Sequence, residues 1–420
     1  MKSQFCSVFA RGRCSGCTAL HMPYPEQLSA KEQFVRDTLA KVISAEVKVL
    51  PIAASPLNMT YRTSAKLCLH EERGSGPTVG LYYLGTKEVT PITSCPAQTT
   101  GINKLVATLF QNRRRIPAPF YNHKGRGFQR GKLKFLTVRA GPGSGLNGSE
   151  SHALIVSHTG VPRRDLMSWL QHSGLGDVCA YESLLTPRDG QATVGSHKAH
   201  LSGPAYFPLR IGQHTFQLPP TSFFQANHSL SPTLIDLATK FEYQGAAANK
   251  TLQHKTGDVL LDLYGGFGAY SFTVAPRFHQ AIIVDGNSDA IAAATRMAAN
   301  LKLGHISAFS AYCEDYMENM AHELASRVTH IIVNPPRGGL SRRALMALSQ
   351  GRFSAARSLN YVSCSPEALA RDLELLVAPQ SGPNNAGAGW RLVSVQAVDM
   401  FPQTEHVEVV AKLVRSDQSN

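Results

Sequence analysis

One stretch decides the fold of this chain: Asp258-Val-Leu-Leu-Asp-Leu-Tyr-Gly-Gly-Phe-Gly-Ala-Tyr270. Its apolar run is typical of a short strand that is buried on both faces. The glycines after it allow a tight turn and a close approach of the backbone to a ligand. A second apolar run ends at Asp285, about 20 residues beyond the first glycine, where a dinucleotide-binding unit places the acid that binds ribose. This order predicts a Rossmann-like ligand site, and a plain structural turn is the alternative.

The segments around this stretch continue the alternation of strands and helices. That alternation is typical of an open, doubly wound α/β sheet, so residues 216–420 are expected to form one domain. No Gly-Lys-Ser/Thr phosphate loop is present, which disfavours ATP as the ligand. The predicted strands are 306–309, 328–333, 359–363 and a closing antiparallel pair, 391–398 with 406–413, and the predicted helices are 232–241, 289–301, 342–349 and 366–377.

Residues 1–215 are predicted to form a mixed α+β domain that binds nucleic acid. The net charge of the chain is +13, and residues 101–140 contain ten Lys or Arg and no Asp or Glu. Basic groups neutralise phosphates and aromatic rings stack on unpaired bases, so this basic stretch indicates RNA binding rather than a merely solvated surface. The aromatic residues interleaved with the charges are Phe120, Tyr121, Phe128 and Phe135, and strands are expected near 61–69, 79–84, 133–139 and 152–157.

Four cysteines form a candidate metal site: Cys6, Cys14, Cys17 and Cys95. The chain has neither an apolar signal segment nor an 18-residue apolar run, so we expect a cytoplasmic protein whose thiols bind metal rather than form disulfides. Zinc and iron–sulfur clusters both use all-thiolate sets, and both remain alternatives. The spacing matches neither a zinc ribbon nor the radical enzymes, which disfavours radical chemistry.

Further candidates stand where predicted strands end, which is where an open sheet binds its ligands. Asn334-Pro-Pro-Arg337 ends one strand, and its arginine replaces the aromatic residue that amino-group methyltransferases use. Cys364 ends the next strand, just before a helix that begins at Pro366. A helix N-terminus lowers a thiol pKa, so Cys364 is predicted to be a nucleophile, with inert packing as the alternative. Glu408 lies in the last strand and is predicted to be a general base or, alternatively, a solvent-facing acid.

These motifs, in this order, resemble the RNA uracil-C5 methyltransferase family over nearly the whole chain. The resemblance implies that S-adenosylmethionine is the methyl donor and that it contacts Gln225, Tyr264, Asp285 and Asn334. It also implies that Cys364 is the nucleophile, that Glu408 is the base and that a [4Fe–4S] cluster is held by Cys6, Cys14, Cys17 and Cys95. Asp285 stands where Glu is usual, and Tyr264 stands where Phe is common. The motifs are Ser222-Phe-Phe-Gln-Ala-Asn227, Asp262-Leu-Tyr-Gly-Gly-Phe-Gly268, Asn334-Pro-Pro-Arg337, Tyr361-Val-Ser-Cys-Ser-Pro366 and Asp399-Met-Phe-Pro-Gln-Thr-Glu-His-Val-Glu408.

Within that family the chain looks most like the RlmC-like branch, which modifies a uracil of 23S ribosomal RNA. Only five residues precede Cys6, so the small β-barrel of another ribosomal branch is not expected. The resemblance implies that a thiolate adds to C6 of a flipped uracil, after which C5 takes the methyl group and a base assists elimination. The alternatives are the same reaction on another 23S uridine or on transfer RNA, and a non-catalytic iron–sulfur RNA-binding protein. The protein is expected to act as a monomer, away from membranes.

Overall fold

A computed structural model divides the chain into two compact units. One unit comprises Met1–Pro23 with Leu57–His228, and the other comprises Tyr24–Pro56 with Ser229–Asn420. This division differs from the predicted boundary between residues 215 and 216, because 24–56 joins the C-terminal unit and 216–228 the N-terminal one. The described residues are 6–14, 16–72, 76–83, 86, 88–120, 132–141, 151–189, 192, 194–242, 257–349, 352–377 and 389–415.

Several features singled out in the sequence lie wholly or mostly outside the described residues. They include Tyr121 and Phe128 of the basic stretch. Most of 141–150, 245–257 and 378–389 also lies outside the described residues. Among the helices that the structure describes, none is long and apolar enough to cross a membrane.

Strands form the centre of both units, and the strands predicted from the sequence are confirmed within a few residues at their ends. The predictions omitted β1, β4 and the strands from β7 to β10. The strands are β1 (Lys48–Ala53), β2 (Ser64–Glu72), β3 (Gly76–Tyr82), β4 (Val89–Pro91), β5 (Leu133–Gly141), β6 (Ser151–His158), β7 (Cys179–Leu184), β8 (His197–Ser202), β9 (Phe207–Ile211), β10 (His214–Leu218), β11 (Val259–Leu263), β12 (Gln280–Asp285), β13 (Ile306–Ser310), β14 (His330–Val333), β15 (Ser358–Ser363), β16 (Trp390–Val398) and β17 (Glu408–Arg415).

The helices pack on these sheets, and the four predicted helices of the C-terminal unit are confirmed as α5, α7, α10 and α11 in the list below. Short 3₁₀ turns at Arg113–Arg115, Pro187–Asp189 and Ala275–Arg277 complete the described elements. The helices are α1 (Ser7–Ala10), α2 (Tyr24–Thr38), α3 (Thr100–Gln111), α4 (Arg163–Gln171), α5 (Ser231–Thr239), α6 (Ala269–Val274), α7 (Ser288–Asn300), α8 (Cys313–Asn319), α9 (His322–Ala325), α10 (Arg342–Ser349) and α11 (Pro366–Val377).

The C-terminal unit is built on an eight-stranded mixed sheet with the order β1-β16-β17-β15-β14-β11-β12-β13. Five neighbouring strands, from β15 to β13, run parallel, and β17 pairs antiparallel with both β15 and β16. The chain leaves β11 in one direction through β12 and β13, and then returns to the other side of β11 with β14. The carboxyl ends of β11 and β14 therefore flank the switch point at which doubly wound sheets bind ligands. The predicted α/β class is confirmed.

Residues 24–56 complete this sheet, which the sequence did not predict. Strand β1 pairs in parallel with β16, with Ala53 opposite Val398. Val35 of α2 and Leu39, which follows that helix, are buried in the same apolar core as β11 and β15. The segment was missed because α2 is rich in charged and polar residues, and because β1 reaches its pairing partner from more than 300 residues away in the chain.

The N-terminal unit contains a seven-stranded sheet with the order β4-β3-β2-β5-β6-β7-β8, and a separate β9–β10 hairpin. Apolar residues on one face of the sheet pack with helices α3 and α4, in a core that includes Leu67, Ile102 and Leu166. Side chains alternate between the faces of a strand, so Lys66 points away from that core. Its ammonium lies 4.3 Å from the centre of the Phe135 ring. The predicted mixed α+β architecture is confirmed for this unit.

Candidate active site

The glycine turn after β11 has a backbone that side chains would obstruct. Tyr264, Gly266 and Gly268 all adopt left-handed conformations, with φ of 57°, 57° and 84°. A Cβ atom on Gly268 would lie 2.6 Å from Cδ1 of Ile283, and one on Gly265 would lie 2.9 Å from the carboxyl group of Asp262. These contacts are too short for any side chain, so the glycines are required for the turn to pack on β11 and β12.

Asp285 ends β12 beside this turn and is fixed by backbone donors. Its Oδ2 accepts a hydrogen bond from the amide of Gly266 at 2.9 Å, and its Oδ1 accepts one from the amide of Asn287 at 2.7 Å. The side chain is half-buried. A carboxylate offers about four lone-pair sites, so two bonds leave capacity for the hydroxyl groups of a ribose.

Asp262 is a buried acid beneath the turn that the sequence analysis did not select. Its side chain has no exposure, and its Oδ2 accepts a hydrogen bond from the hydroxyl of Ser271 at 2.7 Å. Among the described residues, its Oδ1 has no hydrogen-bond partner. Burial raises the pKa of this carboxyl to about 7, and the charge of Asp285 acts in the same direction. The signal in the sequence was a single acid within an otherwise apolar strand.

Asn334 follows β14 and reaches the helix that leaves the glycine turn. Its Nδ2 donates to the hydroxyl of Tyr270 at 3.1 Å, and its backbone amide donates to the carbonyl of Leu263 at 3.3 Å. Burial raises the pKa of Tyr270, and the nearby carboxylates of Glu408 and Asp262 raise it further. The glycine turn, Asn334 and Glu408 therefore belong to one connected group of side chains.

Tyr264 is anchored at the start of the same turn. Its backbone amide donates to Sγ of Cys313 at 3.2 Å, and its hydroxyl donates to Oε1 of Glu314 at 3.5 Å. Burial raises the pKa of the Tyr264 hydroxyl, and Cys313 and Glu314 add to that effect. The ring is half-buried, so one part of it still faces solvent at the carboxyl edge of the sheet.

Cys364 and Glu408 are brought together by the antiparallel pairing of β15 with β17. Ser363 pairs with Val409, and continuing that register by one residue places Cys364 opposite Glu408. The thiol is half-buried, whereas Glu408 is only 3% exposed. Glu408 is therefore not the solvent-facing acid that the sequence left as an alternative. Both residues end at the sheet edge that also carries Asn334.

The predicted lowering of the Cys364 pKa is wrong. Burial raises the pKa of this thiol and the negative charge of Glu408 raises it further, although the charge and hydrogen bond of Arg337 oppose both. Cys364 does precede helix α11, but Ser365 caps that helix by accepting a hydrogen bond from the amide of Ala368 at 3.3 Å. Arg337 is thus a direct neighbour of the thiol, a contact that sequence spacing did not reveal.

The loop that carries Arg337 is fixed by a buried acid of α11. Oδ2 of Asp372 accepts hydrogen bonds from the amide of Leu340 and the hydroxyl of Tyr361, both at 2.6 Å. Nη2 of Arg371 donates to the carbonyl of Gly338 at 2.7 Å. Because Tyr361 lies in β15, this network ties the loop after Asn334 to the strand that ends at Cys364.

Gln225 belongs to the N-terminal unit, whereas the other residues predicted to bind the methyl donor lie in the C-terminal one. Hydrogen bonds to residues before and after Gln225 fix the segment that carries it. The carbonyl of Ala226 accepts from the amide and the hydroxyl of Thr63, both at 2.9 Å. The guanidinium of Arg139 donates to the carbonyl of Ser222 and lies 4.5 Å from the centre of the Phe224 ring. Gln225 itself is half-buried.

The four predicted cluster thiols lie close enough to influence one another. Burial raises the pKa of Cys17 to about 12, with further increases from Cys95, Cys14 and Cys6 and an opposing effect of Arg62. Burial likewise raises the pKa of Cys95, and Cys14 and Cys6 add to it. In the part of the chain that the structure describes, no three His, Cys, Asp or Glu side chains have the geometry of a metal site. The four thiols are thus near neighbours, but their sulfur atoms do not have the geometry of ligands to one metal ion.

A sequence model of one enzyme family matches the part of the chain that contains this site. The family is described as tRNA (Uracil-5-)-methyltransferase, and the match covers residues 212–416. This part of the chain is therefore similar to that family. The matched range includes the glycine turn, Asn334, Arg337, Cys364 and Glu408.

Curated relatives extend the similarity beyond the uracil-5-methyltransferase match. An uncharacterized RNA methyltransferase of Synechocystis is 26% identical over 97% of this chain and 82% of its own length. One of Thermotoga maritima is 28% identical over 97% of this chain and 84% of its own length. Both relatives are described as RNA methyltransferases.

A solved structure shares the fold. The Pyrococcus abyssi tRNA (uracil-54, C5)-methyltransferase, in complex with S-adenosyl-L-homocysteine, superposes with a TM-score of 0.66 at 23% identity. The alignment covers 95% of this chain and 86% of that one. The methyltransferase α/β fold inferred from the sequence is confirmed.

Proposed function

We propose that this protein transfers a methyl group from S-adenosylmethionine to C5 of a uridine in 23S ribosomal RNA. The observation that carries the proposal is the meeting of a thiol, a carboxylate and a guanidinium at one sheet edge. The charge of Glu408 raises the pKa of the Cys364 thiol, and the charge of Arg337 lowers it. Glu408 also raises the pKa of Tyr270, whose hydroxyl accepts a hydrogen bond from Asn334. A nucleophile and a base therefore adjoin the predicted binding site for the methyl donor.

The chemistry of uracil requires such a pair. C5 is too weak a nucleophile to take a methyl group unaided. When the Cys364 thiolate bonds to C6, the electron pair of the C5–C6 double bond becomes available at C5, which then attacks the methyl group. Glu408 accepts the proton from C5, the double bond re-forms and the thiolate leaves. The Cys364 thiolate is regenerated, the proton on Glu408 passes to solvent, and S-adenosylhomocysteine and 5-methyluridine are the products.

Arg337 would favour the reactive form of the thiol. Burial and Glu408 both favour the protonated thiol, so a group that stabilises the thiolate is needed beside it. Arg337 provides a positive charge and a hydrogen bond, and its exposed position at the loop leaves room for a nucleotide.

The methyl donor would be held by Tyr264, Asp285 and Asn334 of the C-terminal unit. The fit is supported by a glycine turn that excludes side chains and by Asp285, whose carboxylate keeps lone pairs for ribose hydroxyls. When bound, the donor supplies an activated methyl group on a sulfonium. The side chains of this chain would orient the donor and the base relative to each other.

A [4Fe–4S] cluster held by Cys6, Cys14, Cys17 and Cys95 is part of the proposal. The donor set is entirely thiol, with Arg62 as a positive charge close by. A single zinc ion would need its four sulfurs about 2.3 Å away, whereas a cluster has several metal atoms and joins thiols that are farther apart.

Iron and sulfide analysis of protein purified without air should give about four iron atoms per chain, and the Cys17→Ser variant should contain none. Zinc at one atom per chain would contradict the cluster.

The basic N-terminal unit supports an RNA substrate, and the ribosomal target rests on the resemblance alone. Transfer RNA is the second candidate, because the matching family is described by that substrate.

The test uses methyl-labelled S-adenosylmethionine with 23S RNA and with transfer RNA, both free of 5-methyluridine. The account predicts label in 5-methyluridine of 23S RNA, and loss of label with Cys364→Ala. Label only in transfer RNA would replace the ribosomal target, and label on another atom would refute uracil-C5 methylation.

A further inference from the structure

The loop that leads to Glu408 is fixed by a buried ion pair. Nζ of Lys31, in helix α2, lies 2.5 Å from Oδ1 of Asp399, and their side chains are 4% and 0% exposed. Nζ of Lys31 also donates to the carbonyl of Phe401 at 3.0 Å. The other oxygen of Asp399 accepts from the hydroxyl of Tyr24 at 2.7 Å. One helix thus holds both the first residue and the third residue of the 399–407 loop.

A second contact holds the middle of the same loop. The side-chain amides of Gln27 and Gln403 are buried, and Nε2 of Gln27 donates to Oε1 of Gln403 at 2.9 Å. Oε1 of Gln27 accepts from the backbone amide of Gln403, also at 2.9 Å. Gln403 has a φ of 66°, a conformation that residues other than glycine rarely adopt. Such a residue persists only where its surroundings hold it in place.

These contacts come from one face of one helix. Gln27 and Lys31 are four residues apart and Tyr24 is three residues before Gln27, which places all three on one side of α2. Buried ion pairs are poor sources of net stability, because the desolvation of both charges offsets their attraction. The lowered pKa of Lys31, caused first by burial, is consistent with that cost. Fixing one geometry is the better-attested use of such pairs.

We propose that Lys31 and Gln27 are positioning residues that hold Glu408 against Cys364 through the 399–407 loop. Glu408 is the first residue of β17, immediately after the loop, and it pairs with Val398, immediately before Asp399. A shift of the loop therefore moves the carboxylate and leaves the thiol, which is fixed by β15, in place. This inference rests on the proposed function and adds α2, from the first tenth of the chain, to the parts that the proton-removal step requires.

The test separates proton removal from the earlier steps. RNA that contains 5-fluorouridine cannot lose a proton from C5, so its covalent complex reports addition and methyl transfer alone. Turnover on ordinary RNA also requires the base. The main variant is Lys31→Met with Asp399→Leu, which removes both charges and leaves none unpaired in the core. Gln27→Met is a second variant that changes no charge. Arg36→Met is the matched control, because it breaks the more exposed Arg36–Glu32 pair of the same helix.

The account predicts a split between the two measurements. In the double variant and in Gln27→Met, turnover falls roughly 10- to 100-fold, because small displacements of a catalytic group have effects of that size. Formation of the 5-fluorouridine complex stays within about threefold of wild type, and a covalent intermediate accumulates on ordinary RNA. Arg36→Met retains both rates. If the double variant does not fold, Gln27→Met alone decides.

Two results would overturn the inference. One is turnover equal to that of wild type in folded variants, and the other is an equal loss in both measurements, which would indicate a merely structural role. Failure of the proposed function looks different. In that case the wild-type protein itself would form no complex with 5-fluorouridine RNA and would transfer no methyl group.

Discussion

Among single residues, Cys364 lies between two groups of opposite charge. Glu408 faces it across the β15–β17 pair, and Arg337 donates a hydrogen bond from the loop after β14. Burial and Glu408 raise the pKa of the thiol, and Arg337 limits the rise. The net rise in pKa favours the thiol over the thiolate.

Alkylation of Cys364 tests this balance. The rate of modification by iodoacetamide should rise with pH around a midpoint above the ordinary value for a thiol, since only the thiolate reacts. Arg337→Met should move the midpoint up, and Glu408→Gln should move it down. Lys41→Met, which removes a charge from an exposed ion pair, is the control. Mass spectrometry of the Cys364 peptide gives the rates. A midpoint that does not respond to Glu408→Gln would contradict the arrangement.

Asp262 gives a second prediction, on stability against pH. Its carboxyl has a pKa of about 7 in the folded protein, above its ordinary value, because it is buried. A raised pKa means that its protonated form stabilises the fold below about pH 4, and that this contribution is lost as the pH rises through 7. Urea unfolding of the ligand-free protein should show a decline in that window.

The matched variants separate Asp262 from the other acids. Asp262→Asn should flatten the decline between about pH 4 and 7, because the amide does not titrate. Glu323→Gln replaces an exposed acid of the same unit and should leave the decline unchanged. A decline of equal steepness in Asp262→Asn and in the wild-type protein would show that Asp262 is already ionised in the fold.

Among the elements, the glycine turn between β11 and α6 leaves little room for side chains at two of its glycines, Gly265 and Gly268. Gly266 and Gly268 are both left-handed, but only Gly268 faces a neighbour within reach of a Cβ atom. Gly266→Ala should therefore cost about 1–2 kcal/mol of unfolding free energy, which is the cost of the conformation alone. Gly268→Ala should cost about 2–5 kcal/mol, because Ile283 and Phe272 must also move. Urea unfolding measures both, and equal losses would contradict the packing of the turn.

The sequence predicted the strands of the parallel sheet well, for a physical reason. Strands that are buried on both faces are nearly continuous apolar runs, and the sequences of β11 and β12 are runs of this kind. The carboxyl ends of such strands share one edge of the sheet, which is why Asp285, Asn334 and Cys364 were correctly placed there. Helix α2 was not predictable in the same way, because its buried face includes Gln27 and Lys31, whose partners lie in the last part of the chain.

For the whole molecule, the contacts that local patterns cannot show are the ones between distant segments. The pairing of β1 with β16 moves residues 24–56 into the C-terminal unit, and the opposition of Cys364 and Glu408 depends on the register of β17. The direction of the Cys364 pKa followed from that register and from burial, neither of which spacing reveals. The motifs identified the candidate site residues. The electrostatic effects of these residues on one another depend on the fold and were not predicted.

The central claim is that the thiol of Cys364 bonds to C6 of a uracil during methyl transfer. The most direct measurement is mass spectrometry of the complex formed from the protein, S-adenosylmethionine and 23S RNA that contains 5-fluorouridine. The account predicts a peptide in which Cys364 carries the methylated fluoropyrimidine nucleotide. A protein that methylates ordinary RNA and yet gives no such peptide, or gives it on another cysteine, would contradict the claim.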